Sequence, residues 1–139
     1  MEATPLHPRL SIRLFRAEKC FGPGIAQLLE LVEEHRSLRG AAKAMDMAYS
    51  KAWTMVRRCE ESSGRQLLIY ATGGRNGGGA TLTEDARRLL TSYRAYCRAV
   101  EAAADELFAE AFAWFDEPGD GASTAAGQPR PTSPEEASP

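Results

Sequence analysis

The chain has 139 residues, enough for one domain with trimmings, and its 43% hydrophobic and 26% charged composition is that of an ordinary globular protein. No apolar run approaches the roughly 20 residues of a membrane span, and "MEATPLHPRLSIRLF" lacks the basic and apolar regions of a signal peptide, so a cytoplasmic chain is expected. The net charge of −2 hides an asymmetry: Arg36 to Arg98 holds twelve Lys/Arg against five Asp/Glu, the electrostatic footprint a polyanion needs, while the segment from Asp116 onward is acidic.

Residues 1–8 read as a tail. In "RLSIRLF", residues 9–15, Arg9, Ser11 and Arg13 alternate with Leu10, Ile12 and Leu14, the period of a half-buried strand. Gly22-Pro23-Gly24 breaks the chain, and Pro23 suits the first turn of a helix. Ile25, Leu28, Leu29 and Val32 then keep the spacing of one buried helix face, which ends near His35. Ser37 is a good N-cap for a short second helix with Ala41, Ala42 and Met45 on its inner face. A third helix follows almost at once in "MAYSKAWTMVRRCEESSG" and stops at Gly64. Two short helices joined by a tight turn predict a helix-turn-helix, with Asp46 at the turn position that needs a left-handed backbone.

On the third helix Ala52, Val56 and Cys59 share a core face with Met55 beside them. The opposite face carries Ser50, Thr54 and Arg57, flanked by Lys51, Trp53 and Arg58; hydroxyls and cations together suit base edges and phosphates. Trp53 is expected beneath the hairpin that follows. Tyr49 stands at the helix start, equally able to reach a phosphate or to support the turn, and Lys43 offers a further phosphate contact.

"QLLIY", residues 66–70, and "ATL", residues 80–82, read as two strands with a glycine-rich tip between them, where positive φ calls for glycine. The glycines do not make a P-loop: Gly73 and Gly78 have the spacing, but Gly79 and Ala80 follow in place of Lys and Ser/Thr. The hairpin is instead a wing that would bring Arg75 and Asn76 to a phosphate backbone. Thr83 N-caps a long helix over residues 84–115. Ala86, Leu90, Tyr93, Cys97, Val100, Ala104, Leu107, Ala111 and Trp114 form an unbroken heptad seam along it. A helix so long cannot bury that seam on a small domain, so a second copy of the chain is the expected partner, with Leu90 to Trp114 as the dimerisation residues. Residues 116–139, rich in Pro, Gly, Ser and Ala, read as a disordered tail.

Cys20, Cys59 and Cys97 are far apart with no CxxC pair and are expected as reduced thiols; with His7 and His35 they make no recognisable metal site. No cofactor motif and no catalytic constellation is present, so an enzyme is not expected.

The runs "AAKAM-x-M-x-Y-x-x-AW" and "ATGG-x-x-GGGA-x-LT", residues 41–53 and 71–83, resemble the N-terminal DNA-binding domain of the ModE family of molybdate-responsive regulators. "LTEDA" is also similar to the LysR-type wing and linker helix. The resemblance covers roughly Leu10 to Phe115. It implies a mostly α fold with a small β-hairpin, namely a winged helix-turn-helix over residues 9–82 and a dimerising linker helix over residues 83–115. It implies a homodimeric regulator that binds double-stranded DNA. Ala48, Ser50 and Asp46 depart from the Ser, basic residue and Gly usual in the family. The family's molybdate-binding domains follow the linker helix; here the low-complexity tail follows, so no molybdate binding is expected of this chain. A second reading stays open: a protein-interaction module that uses the same helix and coiled-coil seam and binds DNA weakly.

Overall fold

The computed structural model describes residues 3–71 and 79–119. The element order is β1 (Leu14–Phe15), β2 (Lys19–Phe21), α1 (Pro23–His35), α2 (Leu38–Ala44), α3 (Tyr49–Ser63), β3 (Leu68–Tyr70), β4 (Ala80–Leu82) and α4 (Glu84–Ala111). The chain divides into two units, one reaching Asp105 and the other beginning at Glu106. No helix among the described residues is long and apolar enough to cross a membrane.

The helices begin and end where their caps dictate. Pro23 opens α1, and Arg36 closes it with a left-handed φ of 56°. Ser37 follows immediately, and its Oγ accepts the Gly40 N–H at 2.9 Å. Gly64, with φ of 72°, terminates α3. Thr83 Oγ1 accepts the Ala86 N–H at 3.0 Å and donates to the Gln66 carbonyl at 2.7 Å, so the cap of α4 is also tied to the base of the wing.

The first strand is shorter than its alternation suggests. Only Leu14 and Phe15 pair, antiparallel, with Lys19–Phe21, a strand too short to stand out from the sequence. The period-two pattern upstream still records real burial, because Ile12 and Leu14 pack against the core. The Ile12 carbonyl is held by the Tyr93 hydroxyl at 2.6 Å instead of by a neighbouring strand.

The core of the first unit lies beneath the three helices and the wing base. Phe21, Leu28, Leu29, Leu67, Leu68, Val32 and Val56 are its largest fully buried side chains. Each is worth about 1.5–3 kcal/mol relative to exposure. The face of α3 expected inside, Ala52, Val56 and Cys59, is inside.

α4 differs most from expectation. Its regular part stops at Ala111, and residues 112–116 form turns, with Phe115 N–H donating to Phe112 O at 3.0 Å. The beginning of the seam is used within the chain. Ala86 and Tyr93 are buried, and Leu90 and Cys97 pack against the same core. The Tyr93 ring meets Phe21 edge-on at 5.0 Å. Tyr93 is 2% exposed, so it offers a second chain almost no surface, which corrects its assignment to the dimer seam. A heptad pattern states that one stripe is apolar; it does not say whether a neighbouring domain or a second helix covers each part.

In the second unit Phe108 stacks on Phe112 at 5.0 Å, and Phe112, Trp114 and Phe115 continue the cluster with centroids 5.8 to 6.4 Å apart. Residues 120–139 of the expected disordered tail lie outside the described residues.

The wing is anchored by a close backbone approach. The Ala80 N–H donates to the Arg36 carbonyl at 3.0 Å. A Cβ built on Gly79 would lie 2.7 Å from that same oxygen. Glycine is therefore needed at position 79 for space, whereas Gly64 has open space around it and needs its positive φ. The two glycines should respond differently to substitution. Gly79→Ala and Gly79→Asn should each cost roughly 1–3 kcal/mol by forcing the strand off Arg36. Gly64→Asn should cost only a few tenths, because Asn tolerates the left-handed region. Chemical denaturation of the three variants measures the contrast.

Candidate nucleic-acid interface

α2 and α3 meet through a turn built from backbone hydrogen bonds. Asp46 N–H donates to Lys43 O and Met47 N–H to Ala42 O, each at 3.0 Å. Asp46 takes φ of 55°, the left-handed value expected of it. The small Ala41 and Ala42 on α2 are buried, which lets α1 and α3 approach α2 closely. Ala48 occupies the N-cap of α3 in extended conformation and supplies no side-chain acceptor. Its carbonyl takes the Lys51 and Ala52 N–H groups at 3.1 Å, and the first amides of α3 lack a side-chain cap.

This turn fixes which side of α3 faces outward. Lys43, Tyr49, Ser50, Lys51, Thr54, Arg57 and Arg58 are all exposed, opposite the buried Ala52, Val56 and Cys59. The structure thus brings seven of the nine expected contact residues to the surface of the helix-turn-helix. Arg75 and Asn76 lie outside the described residues.

The side chains are individually positioned. The Arg39 guanidinium sits over the Tyr49 ring at 4.3 Å, so Tyr49 supports a cation on α2. Arg39 is exposed and extends the basic edge of α2, but no periodicity singled it out. Arg57 lies over Trp53 at 5.6 Å, with Nη1 3.6 Å from Glu60 Oε1. The other Glu60 oxygen accepts the Leu67 N–H at 2.8 Å, so one carboxylate joins α3 to the start of the wing. Sequence reasoning passed over Glu60 because a glutamate near a helix end looks like solvated surface. Trp53, expected beneath the wing, is 45% exposed. It lines a groove of about 510 Å³ with Arg57, Leu68 and Tyr70. Burial raises the Tyr70 hydroxyl above its ordinary pKa, so it stays a neutral donor at physiological pH.

Ion pairing sorts the basic residues. Arg94 forks onto Glu30 with hydrogen bonds of 2.9 and 2.7 Å, which hold the Glu30 carboxyl below its usual range. Arg87 pairs with Glu33 at 3.2 Å, and Arg65 with Asp85 at 3.2 Å. Arg87 is thus engaged by α1. Among the described residues, Arg39, Lys43, Lys51 and Arg58 have no acid within ion-pair distance. Arg36, Arg88 and Arg98 are likewise in no ion pair among the described residues, so α2 and α3 hold four of the seven described unpaired cations of the basic window.

A family model described as "Bacterial regulatory helix-turn-helix protein, lysR family" matches residues 26–87. The Azotobacter vinelandii protein named "Molybdenum transport protein ModE" is 35% identical over 81 residues, 58% of this chain and 30% of the relative. The Haemophilus influenzae "Transcriptional regulator ModE" is 39% identical over 71 residues, 51% of this chain and 28% of the relative. The Escherichia coli "DNA-binding transcriptional dual regulator ModE" is 32% identical over 85 residues, 61% and 32%. The chain therefore spans about a third of the length of these curated relatives.

The missing hydroxyl at position 48 has a measurable consequence. Ala48→Ser should stabilise the fold by about 0.5–2 kcal/mol, because Ser can accept an orphan N–H in the first turn of α3. Thermal and urea unfolding read the gain; a loss of stability would mean that the extended backbone at position 48 does not aim a cap at those amides.

Proposed function

We propose that this chain, whose residues 26–87 form a ModE-like winged helix-turn-helix domain of the lysR type, is a sequence-specific DNA-binding transcriptional regulator. The observation that carries the reading is the outward face of α3. Ser50, Thr54 and Arg57 stand there beside cations that no acid of the described residues neutralises. α3 enters the major groove, where Ser50, Thr54 and Arg57 meet base edges. Lys43, Lys51 and Arg58 contact phosphates and set register, joined by Arg75 and Asn76 of the wing. The uncapped first turn of α3 adds backbone donors suited to a phosphate oxygen. The names of the Haemophilus and Escherichia relatives describe transcriptional regulators, in keeping with a binding role over an enzymatic one.

The regulator works as a homodimer through α4. Tyr93 is withdrawn from the seam, and Leu90 and Cys97 contribute only what the core leaves exposed. In the first unit Val100 and Ala104 remain partly open. In the second unit Ala111 is exposed, with Leu107 at 67% and Trp114 at 60%. Single apolar side chains at such exposure are unremarkable, but Val100, Ala104, Leu107 and Ala111 recur at heptad spacing within α4, and Trp114 follows in the turn beyond it.

Two experiments test the reading. Arg57→Ala should cost about 1–3 kcal/mol on a cognate duplex and relax preference at one base position. Lys43→Ala and Arg75→Ala should instead weaken all duplexes alike and lower the salt slope by about one unit. Fluorescence anisotropy against cognate and scrambled duplexes across a salt series separates the two behaviours; no duplex binding at low salt by the unaltered chain would reject the function. Leu107→Glu should yield monomers in sedimentation and weaken binding to a two-half-site duplex by on the order of 100-fold, leaving the domain folded. A full chain that sediments as a monomer at micromolar concentration would remove the dimer.

A further inference from the structure

All three cysteines are free, and two of them converge. Cys20 lies in β2 and Cys59 in α3, and β2 packs directly on α3. Both side chains line one cavity of about 710 Å³, together with Glu18, Lys19, Met55 and Arg58. Cys59 is buried, whereas Cys20 is half-exposed and accessible from the cavity. Burial first, and then the nearby Cys20, push the Cys59 thiol up to about 12. Cys59 is therefore a neutral thiol at physiological pH, and Cys20 is the member of the pair that solvent reaches. Neither residue belongs to the outward face of α3.

We propose that Cys20 and Cys59 form a dithiol modification site that a hydroperoxide oxidises to an intramolecular disulfide. Cys20 sulfur attacks the peroxide; an S–O bond forms, the O–O bond breaks, and the departing oxygen takes a proton and leaves as water or alcohol. The resulting sulfenic acid is then attacked by Cys59 sulfur. The S–S bond forms, the S–O bond breaks, and the hydroxyl leaves with the Cys59 proton as water. Two thiols lose two electrons and the peroxide gains them. The sluggish nucleophile of the second step is offset by its placement beside the sulfenic acid. The closed loop contains α1, α2 and the turn before α3, so the bond locks the helix-turn-helix as a unit. An S–S bond of about 2.05 Å is shorter than any non-bonded sulfur contact, so it draws α3 toward β2. Under the DNA-binding reading, on which only this consequence rests, the shift misaligns Ser50, Thr54 and Arg57 and weakens duplex binding.

The test treats the full-length reduced chain with hydrogen peroxide, then unfolds and alkylates it for mass mapping. The expected result is a Cys20–Cys59 cross-linked peptide with Cys97 alkylated, and a thermal midpoint that rises on oxidation and returns with dithiothreitol. Cys97→Ser should keep this behaviour. Cys20→Ser, at a half-exposed position that leaves the core intact, should abolish it. Sulfinic acid on Cys20 with Cys59 still alkylatable, disulfides between chains, or an unmoved midpoint would each overturn the site. Anisotropy on the same samples is a separate arm. A severalfold loss of affinity on oxidation in the unaltered chain but not in Cys20→Ser supports control of DNA binding. A mapped disulfide with unchanged affinity overturns that control alone. A reduced chain with no affinity at all indicts the DNA reading instead.

Discussion

The carbonyl of Arg36 is the point from which the wing is hung on α1. Arg36 closes α1 in a left-handed conformation, its N–H donating to the Val32 carbonyl, and its own carbonyl accepts the Ala80 N–H from the last strand of the wing. That geometry requires glycine at position 79, and it places Ser37 one residue later as the cap of α2. Two further ties complete the frame. Glu60 on α3 accepts the Leu67 N–H, and Thr83 at the head of α4 holds Gln66 and donates its own N–H to Leu67 O. The end of α1, the end of α3 and the start of α4 are thus all bonded to the base of one short hairpin. A helix fixed in this way loses little conformational freedom when it meets a ligand, which reduces the entropic cost of binding.

Charge is organised by the same frame. Two of the three acids of α1, Glu30 and Glu33, take up Arg94 and Arg87 of α4. These pairs are partly exposed and contribute little to stability. Their larger effect is on the field: Arg87 and Arg94 on α4 are neutralised, while Arg88 and Arg98 on α4, Arg39 and Lys43 on α2, and Lys51 and Arg58 on α3 are left unpaired among the described residues. A polyanion approaching the protein therefore meets positive charge on α2 and α3, beside the exposed Ser50 and Thr54. Arg57 is the exception. It rests between Trp53 and Glu60, so a ligand group at its guanidinium must compete with that carboxylate or reuse its alignment.

α4 serves two masters along one stripe. Its first turns complete the core through Ala86 and Tyr93, and the Tyr93 hydroxyl also secures the N-terminal segment at Ile12. Further on, the same periodicity continues onto the exposed Leu107 and Ala111. The far part of α4 is thereby nucleated by the turns that pack on the core.

The sequence by itself determined the elements whose signals are local. Pro23, Ser37, Gly64 and Thr83 mark helix ends because caps act within one turn, and Asp46 marks the turn because few residues accept a left-handed backbone. The outward face of α3 was legible because a 3.6-residue period separates Ser50 and Thr54 from Ala52 and Val56. What only the tertiary structure decided involves residues distant in the chain. The pairing of Leu14 with Phe21, the burial of Tyr93 against Phe21 and the convergence of Cys20 with Cys59 leave no periodic trace. Gly79 looked like one of several glycines supplying positive φ, and its true requirement, room for a carbonyl 43 positions earlier, appears only once the wing is folded onto α1. Periodicity reports that a face is apolar or polar; which partner it meets depends on how the elements pack, and that is settled by contacts no local pattern encodes.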